Sequence, residues 1–339
     1  MPGTCDSLLL IGVVLGTSCA IVTALLIVML RPLLARYALA RPNARSSHKV
    51  PTPQGGGMAI VIAATAGIAS VLVLCPRSGP ASPVLAALAA STCLAIVGAA
   101  DDIFVLRAAP RLALQLLSAA LIVIVGGARV VPAVPVEVEV AVLVLALVWF
   151  VNLVNFMDGI DWITVAEVVP ICAGIATIAA LGEAPVSSFV VAIAVGGATL
   201  GFAPFNRPVA RLFLGDVGSL PLGLLLGWQL IVVAASHHLV AAVILPLYYL
   251  ADATITLGRR IARRERVWEA HRTHYYQRAT DRGYTVIAIV ARVFVTNLVL
   301  IAIALASVLR PESAVQVGCL AVGAGVVAWL LVTLHRGVR

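Results

Sequence analysis

The sequence predicts an all-α, polytopic membrane protein with about eleven transmembrane helices, and three observations lead there. Of its 339 residues, 62% are hydrophobic and only 11% are charged, against about 25% charged in an ordinary soluble domain. Mean hydropathy is +1.08, which is more apolar surface than a globule of this size can hide behind a polar skin. The apolar content also falls into runs that can cross a hydrocarbon core of about 30 Å, for which roughly 20 helical residues are needed. Soluble enzymes, disordered chains and disulfide-framed secreted modules are excluded. The six cysteines are scattered without a Cys-x-x-Cys pair, so neither a disulfide framework nor a zinc site is indicated.

The runs are, in order, 8–30, 56–75, 84–100, 112–126, 138–153, 163–181, 186–203, 217–235, 239–257, 285–309 and 315–334. The first carries its cationic flank, Arg31 and Arg36, behind it, so it reads as a transmembrane helix rather than a signal peptide. The second is led in by the glycines at 55–57, and the third ends on Asp101 and Asp102. The fourth and fifth are short. Between them, Val136-Glu137-Val138-Glu139-Val140 alternates after two prolines and reads either as a small external β-hairpin or as a plain polar connector. The sixth carries Glu167, for which the sequence offers no partner. The ninth carries Asp252 near its end, where pairing with a neighbouring arginine is expected. No loop is long enough for a separate domain, so residues 1–339 form one integral membrane unit.

Eleven crossings put the termini on opposite sides. The loops after odd-numbered helices, near 31–55, 101–111, 154–162, 204–216 and 258–284, then share one face with the C-terminal tail. That face holds 19 of the 23 lysines and arginines and the opposite loops hold 3, so by the positive-inside rule it is cytoplasmic and the N-terminus is outside. The net charge of +8 therefore reports orientation rather than nucleic-acid binding.

Acidic residues near a bilayer are costly and their positions are informative. Asp101 and Asp102, Asn155, Asp158 and Asp161, Asn206 and Asp216, and His271 and His274 all follow odd-numbered helices. They can converge on one site at the cytoplasmic face. Adjacent carboxylates repel, which a site tolerates mainly when a cation or proton belongs to its function. Hard oxygen ligands suit Mg²⁺ shared with phosphates. The Ser47–Gly57 loop could offer helix-terminal N–H groups to an anion, although it lacks the Gly-Lys-Ser/Thr ending of a P-loop. His271 and His274 lack a third zinc ligand nearby and suit phosphate or sugar contact better.

These segments together resemble the polyprenyl-phosphate N-acetylhexosamine-1-phosphate transferases. The matching stretches are Arg41-Pro42-Asn43 through Gly57, Gly98-Ala99-Ala100-Asp101-Asp102, Asn155-Phe156-Met157-Asp158-Gly159-Ile160-Asp161, Phe205-Asn206, Phe213-Leu214-Gly215-Asp216-Val217-Gly218-Ser219 and Ala270-His271-Arg272-Thr273-His274-Tyr275-Tyr276-Gln277. They recur in family order from about residue 31 to 282 and lie closer to the O-antigen and common-antigen initiating branch than to the related peptidoglycan translocase. Trp162 stands where the family usually has glycine, and the histidines are spaced His-x-x-His. Both departures leave the donor sugar open.

The resemblance implies a Mg²⁺-dependent enzyme, with Mn²⁺ as a substitute, in the bacterial inner membrane. Its partners would be a UDP-N-acetyl sugar, undecaprenyl phosphate and the lipid bilayer, with no nucleic acid, and its oligomeric state is open between monomer and homodimer. Asp216 and Asp101 would hold the metal, and Asp101, Asp102, Asp158 and Asp161 would be catalytic. Lys49, Asn155, Asn206, His271, Arg272 and His274 would bind substrate. A lipid I-type translocase and a multi-pass transporter are the alternatives.

Overall fold

The computed structural model describes residues 2–40, 51–75, 81–104, 106–266 and 271–337. It is a bundle of helices: α1 (Pro2–Tyr37), α2 (Gly57–Leu74), α3 (Ala81–Phe104), α4 (Ala108–Gly126), α5 (Val136–Met157), α6 (Ile163–Ala180), α7 (Val186–Phe202), α8 (Asp216–Val233), α9 (Leu239–Ile244), α10 (Leu247–Ala262), α11 (Tyr275–Asp281), α12 (Val286–Leu309) and α13 (Ser313–Arg336). Two short strands, β1 (Leu39–Ala40) and β2 (Thr52–Pro53), pair antiparallel between α1 and α2. Among the described residues, 9 helical segments are long and apolar enough to cross a membrane, and α7 is a shorter apolar helix. The chain is therefore an all-α polytopic membrane protein.

Helices form here because an apolar backbone in lipid must satisfy its own hydrogen bonds. α8 lies at the centre with nearly all of its faces covered, packed by α3 and α5, while α7 is packed by α1, α2 and α6. The α1–α7 crossing is made of small residues, with Gly16 and Ala20 meeting Gly197 and Gly201, the close approach that holds membrane helices together where lipid is as apolar as leucine. Large apolar side chains such as Leu10, Val14, Ile96, Leu117 and Trp329 face outward, as a lipid-facing belt requires.

Three local expectations are revised. The Val-Glu alternation at 136–140 is neither hairpin nor connector: it is the first turn of α5, which starts at Val136. Glu139 is buried there, paired with Arg129 and accepting the N–H groups of Val130 (2.6 Å) and Val131 (2.7 Å). The expected ninth span at 239–257 is not one helix. After α8 the backbone makes a π-turn over Ala234–His238, with His237 at φ 69°, and α9 and α10 are separated by a turn at Leu245 and Pro246. Glu167 of α6 accepts from Asn297 Nδ2 (2.6 Å) of α12, a partner that only the fold supplies.

Among the described residues Asp252 pairs with no arginine. Fully buried on α10, it accepts the N–H groups of Tyr275 (3.0 Å) and Tyr276 (3.4 Å), hydrogen-bonds Thr256 Oγ1 (3.2 Å) and pairs with His274 Nδ1 (3.2 Å). It pins the start of α11, a buried polar cluster whose donors offset the cost of taking a carboxylate out of water.

Candidate active site

Three helix ends and one helix start meet at one end of the bundle. α3 ends on Asp101 and Asp102, α5 gives way to the Asp158–Asp161 loop, α7 leads to Asn206, and α8 begins at Asp216. The α3–α8 contact is close enough that a Cβ on Gly98 would strike the Asp216 and Val217 backbone. At Gly215 the backbone turns through φ 76°, a conformation that favours glycine, and a Cβ there would meet the Asp102 carboxylate at 2.5 Å.

These constraints let Asp102 cap α8 from 114 residues away. Its Oδ1 accepts the Asp216 N–H (2.9 Å) and its Oδ2 the Val217 N–H (3.2 Å), satisfying two of the helix's orphan donors. Asp216 is therefore not the N-cap; that position is Gly215. Its own carboxylate is held by Asn155 Nδ2 at Oδ1 (2.7 Å) and by Arg111 at Oδ2 (3.3 Å). Arg111 also pairs with Asp101, whose other oxygen accepts the Leu106 N–H (2.6 Å). One guanidinium thus bridges Asp101 and Asp216.

The glycine segment does not offer its N–H groups to a ligand. Gly55 and Gly56 donate to the Phe213 carbonyl (3.2 and 2.9 Å) and Gly57 donates to that of Leu214 (2.9 Å). The segment straps α2 to the loop before α8, and Gln54 Nε2 bonds the Asp102 carbonyl (3.0 Å).

A cavity of about 270 Å³ opens among these groups, lined by Gln54, Asp102, Asn155, Asp158, Asp216 and Gln277, and also by Asp161 and Asn206. Asp158 bonds Thr164. Burial raises its carboxyl to about 6, the Thr164 bond opposes the rise, and the negative charges of Asp102 and Asp161 add to it. Asp161 Oδ2 accepts the Ala210 N–H (2.9 Å), and Asn206 ties the Trp162 N–H (2.8 Å) to the Leu212 carbonyl (3.0 Å). These two residues brace the 204–215 loop as well as facing the cavity.

The structure therefore brings Asp101, Asp102, Asn155, Asp158, Asp161, Asn206 and Asp216 together. His271, Arg272 and His274 do not line the cavity. His274 is held by Asp252, His271 stacks on it with ring centroids 4.9 Å apart, and Arg272 reaches Thr280 and Asp281. Burial, followed by the charges of His274 and Arg260, lowers His271 to about 4, so its imidazole is neutral at pH 7. What this segment sends into the cavity is Gln277, next to Tyr276, whose OH donates to the Phe156 carbonyl (3.1 Å). Lys49 lies outside the described residues.

Sequence reasoning missed Arg111, Gln54 and Gln277. In the sequence Arg111 counts with Arg107 only toward topology, although an arginine beside paired carboxylates is also a charge-balance signal. Gln54 and Gln277 each lie inside a segment that the resemblance had singled out. No three His, Cys, Asp or Glu side chains among the described residues converge on one metal-sized point. Mg²⁺ needs only one or two protein carboxylates beside water and substrate phosphate, and the carboxylates of Asp216 and Asp101, which share Arg111, fit that chemistry.

Residues 84–234 match the profile of glycosyl transferase family 4. The chain is 31% identical over 246 residues to a decaprenyl-phosphate N-acetylglucosaminephosphotransferase of Mycolicibacterium smegmatis, covering 62% of this chain and 57% of that protein. It is 33% identical over 208 residues to a phospho-N-acetylmuramoyl-pentapeptide-transferase of Symbiobacterium thermophilum, 54% of this chain and 61% of the relative. It is 27% identical over 282 residues to a probable undecaprenyl-phosphate N-acetylglucosaminyl 1-phosphate transferase of Bacillus subtilis, 78% and 76% of the two chains. The first two matches thus span about 60% of their relatives' length. The matched profile holds Asp101, Asp102, Asn155, Asp158, Asp161, Asn206 and Asp216, all seven of the converging residues.

Proposed function

We propose, from the match of residues 84–234 to glycosyl transferase family 4, that the chain transfers N-acetylhexosamine 1-phosphate from a UDP-sugar to undecaprenyl phosphate. UMP leaves, and the polyprenyl-diphospho-sugar would begin a cell-surface polysaccharide. The observation that carries this reading is the convergence of Asp102, Asn155, Asp158 and Asp216 from three separate helices on one cavity inside the matched region, with Asp101 tied to Asp216 through Arg111. In the bond change, an oxygen of the lipid phosphate attacks the sugar-bearing phosphorus. The phosphoanhydride bond to UMP breaks, and its electron pair leaves with the UMP oxygen.

The acceptor is already an anion, so the work is positioning and charge neutralisation. Asp102 sets the register of α8 and thereby of Asp216, and Asn155 fixes the Asp216 carboxylate. Asp216 and Asp101 would hold Mg²⁺, which supplies charge neutralisation at the donor pyrophosphate. Both now share Arg111, which is placed to pass its positive charge to an incoming phosphate. Asp158 and Asp161 would face the donor, Gln277 would offer its amide to polar substrate groups, and Asn206 would act by holding the 204–215 loop.

The 19-to-3 distribution of basic residues supports eleven crossings with the cavity on the cytoplasmic face of a bacterial inner membrane, where UDP-sugars are found. The test is UMP release by detergent-purified protein given Mg²⁺, undecaprenyl phosphate and a panel of UDP-N-acetyl sugars. Turnover with UDP-GlcNAc or a related sugar is expected. Turnover with UDP-MurNAc-pentapeptide alone would move the assignment to the translocase reading favoured by the Symbiobacterium relative, and no UMP with any donor would overturn both.

A further inference from the structure

Trp162 occupies a conformation that its residue type avoids. Its φ is 64°, the left-handed region, which is unfavourable for a residue with a Cβ. Two hydrogen bonds hold it there: its N–H donates to Asn206 Oδ1 (2.8 Å) and its indole Nε1 donates to the Ala203 carbonyl (2.6 Å). The indole is thereby fixed as one wall of a second cavity, of about 470 Å³, which shares no lining residue with the first. Its other lining residues are Leu200, Ala203, Pro204, Arg207 and Arg211.

Both arginine side chains are exposed, and neither makes a hydrogen bond or an ion pair with any described residue. That separates them from Arg111, Arg129, Arg260 and Arg272, each of which has an acidic partner. Around these two cations the surface is apolar. Val209, between them in sequence, is 80% exposed, and Leu200, in the last turn of the membrane helix α7, is 51% exposed. Two open guanidinium forks, an anchored indole and bare aliphatic side chains thus meet at the end of a membrane helix. An anion fits the forks, and a molecule continuing into hydrocarbon fits the rest, with the indole at the interface as tryptophans in membrane proteins commonly are.

We propose that this cavity binds the headgroup of an anionic phospholipid of the surrounding bilayer. Arg207 and Arg211 grip the phosphodiester, and Trp162, Leu200 and Val209 cover the glycerol and the first acyl carbons. The lipid braces the Trp162–Asn206 link. The site is distinct from the transferase cavity and stands whether or not the transferase assignment does.

The test is thermal unfolding of the full-length protein in detergent, titrated with phosphatidylglycerol or with phosphatidylcholine of the same acyl chains. Phosphatidylglycerol should stabilise the wild type at lower concentration. The exposed double variant R207Q/R211Q should need roughly 25-fold more of it, about fivefold for each arginine, with its phosphatidylcholine curve unchanged. The single variants R207Q and R211Q, each expected at about fivefold, give the same reading should the double variant fold poorly. Equal phosphatidylglycerol curves for wild type and variants would overturn the proposal, as would equal stabilisation of the wild type by the two lipids. Inorganic phosphate saturating the same arginine-dependent response would show a free-anion site and overturn the lipid assignment.

Discussion

Asp102 has both oxygens committed to the first two N–H groups of α8, so under the proposed transfer its part would be to hold Asp216 in place. Asp102→Ala leaves those donors without a carboxylate, a loss of about 1–3 kcal/mol. It should lower the melting temperature and UMP release together. Asp216→Ala removes the group at the centre of the cavity, and there the fold should hold while UMP release falls at least about a hundredfold. A variant with retained Mg²⁺-dependent turnover would remove Asp216 from that role. His271 offers a pH reading. Its folded value is about 4 against the ordinary imidazole value of 6.5, so between these pH values an unfolded chain takes up a proton that the folded one refuses. Stability is therefore unaffected above pH 6.5 and is lost as pH falls from 6.5 toward 4. His271→Gln should flatten the melting curve across that window, and an unchanged slope would show that the imidazole does not contribute.

Close approach of helices decides where these side chains stand. Gly98→Ala drives a methyl group into the Asp216 backbone, and overpacking of this kind costs about 1–3 kcal/mol. Melting and turnover should both fall, whereas Gly126→Ala, where the nearest atom is 3.7 Å away, should be silent. Asp252→Asn leaves one oxygen where two now receive the start of α11, and should raise KM more than it lowers kcat by loosening the segment that carries Gln277. The helices themselves were legible in the sequence because run length alone sets a membrane crossing. The start of α5 was not, since Val-Glu alternation has the period of a strand and only Arg129 and two loop N–H groups make Glu139 a helical residue. Nor was the break before α10, because Pro246 lies inside an apolar run that hydropathy cannot resolve.

For the whole chain, parity was the informative quantity: every chemical group followed an odd-numbered helix, and the seven from Asp101 to Asp216 do converge. The partners of those groups stayed hidden because they are long-range, with Asp102 capping α8 across 114 residues and Arg111 reaching Asp216 across 105. The orientation is open to test with single cysteines placed in the loops at 101–110 and 258–284 of a background stripped of its own. Both should react with a membrane-impermeant thiol reagent only after the membrane is opened from the cytoplasmic side, and labelling from outside would reverse the topology. The gap between α9 and α10 sets how the molecule answers its membrane mechanically. In a continuous helix the hydrogen-bonded column carries bending from end to end, whereas here that column is cut at the buried pair Leu245–Pro246. A tilt of α9 imposed by a change in bilayer thickness is therefore expected to bend the chain at that pair before it reaches Asp252 and α11.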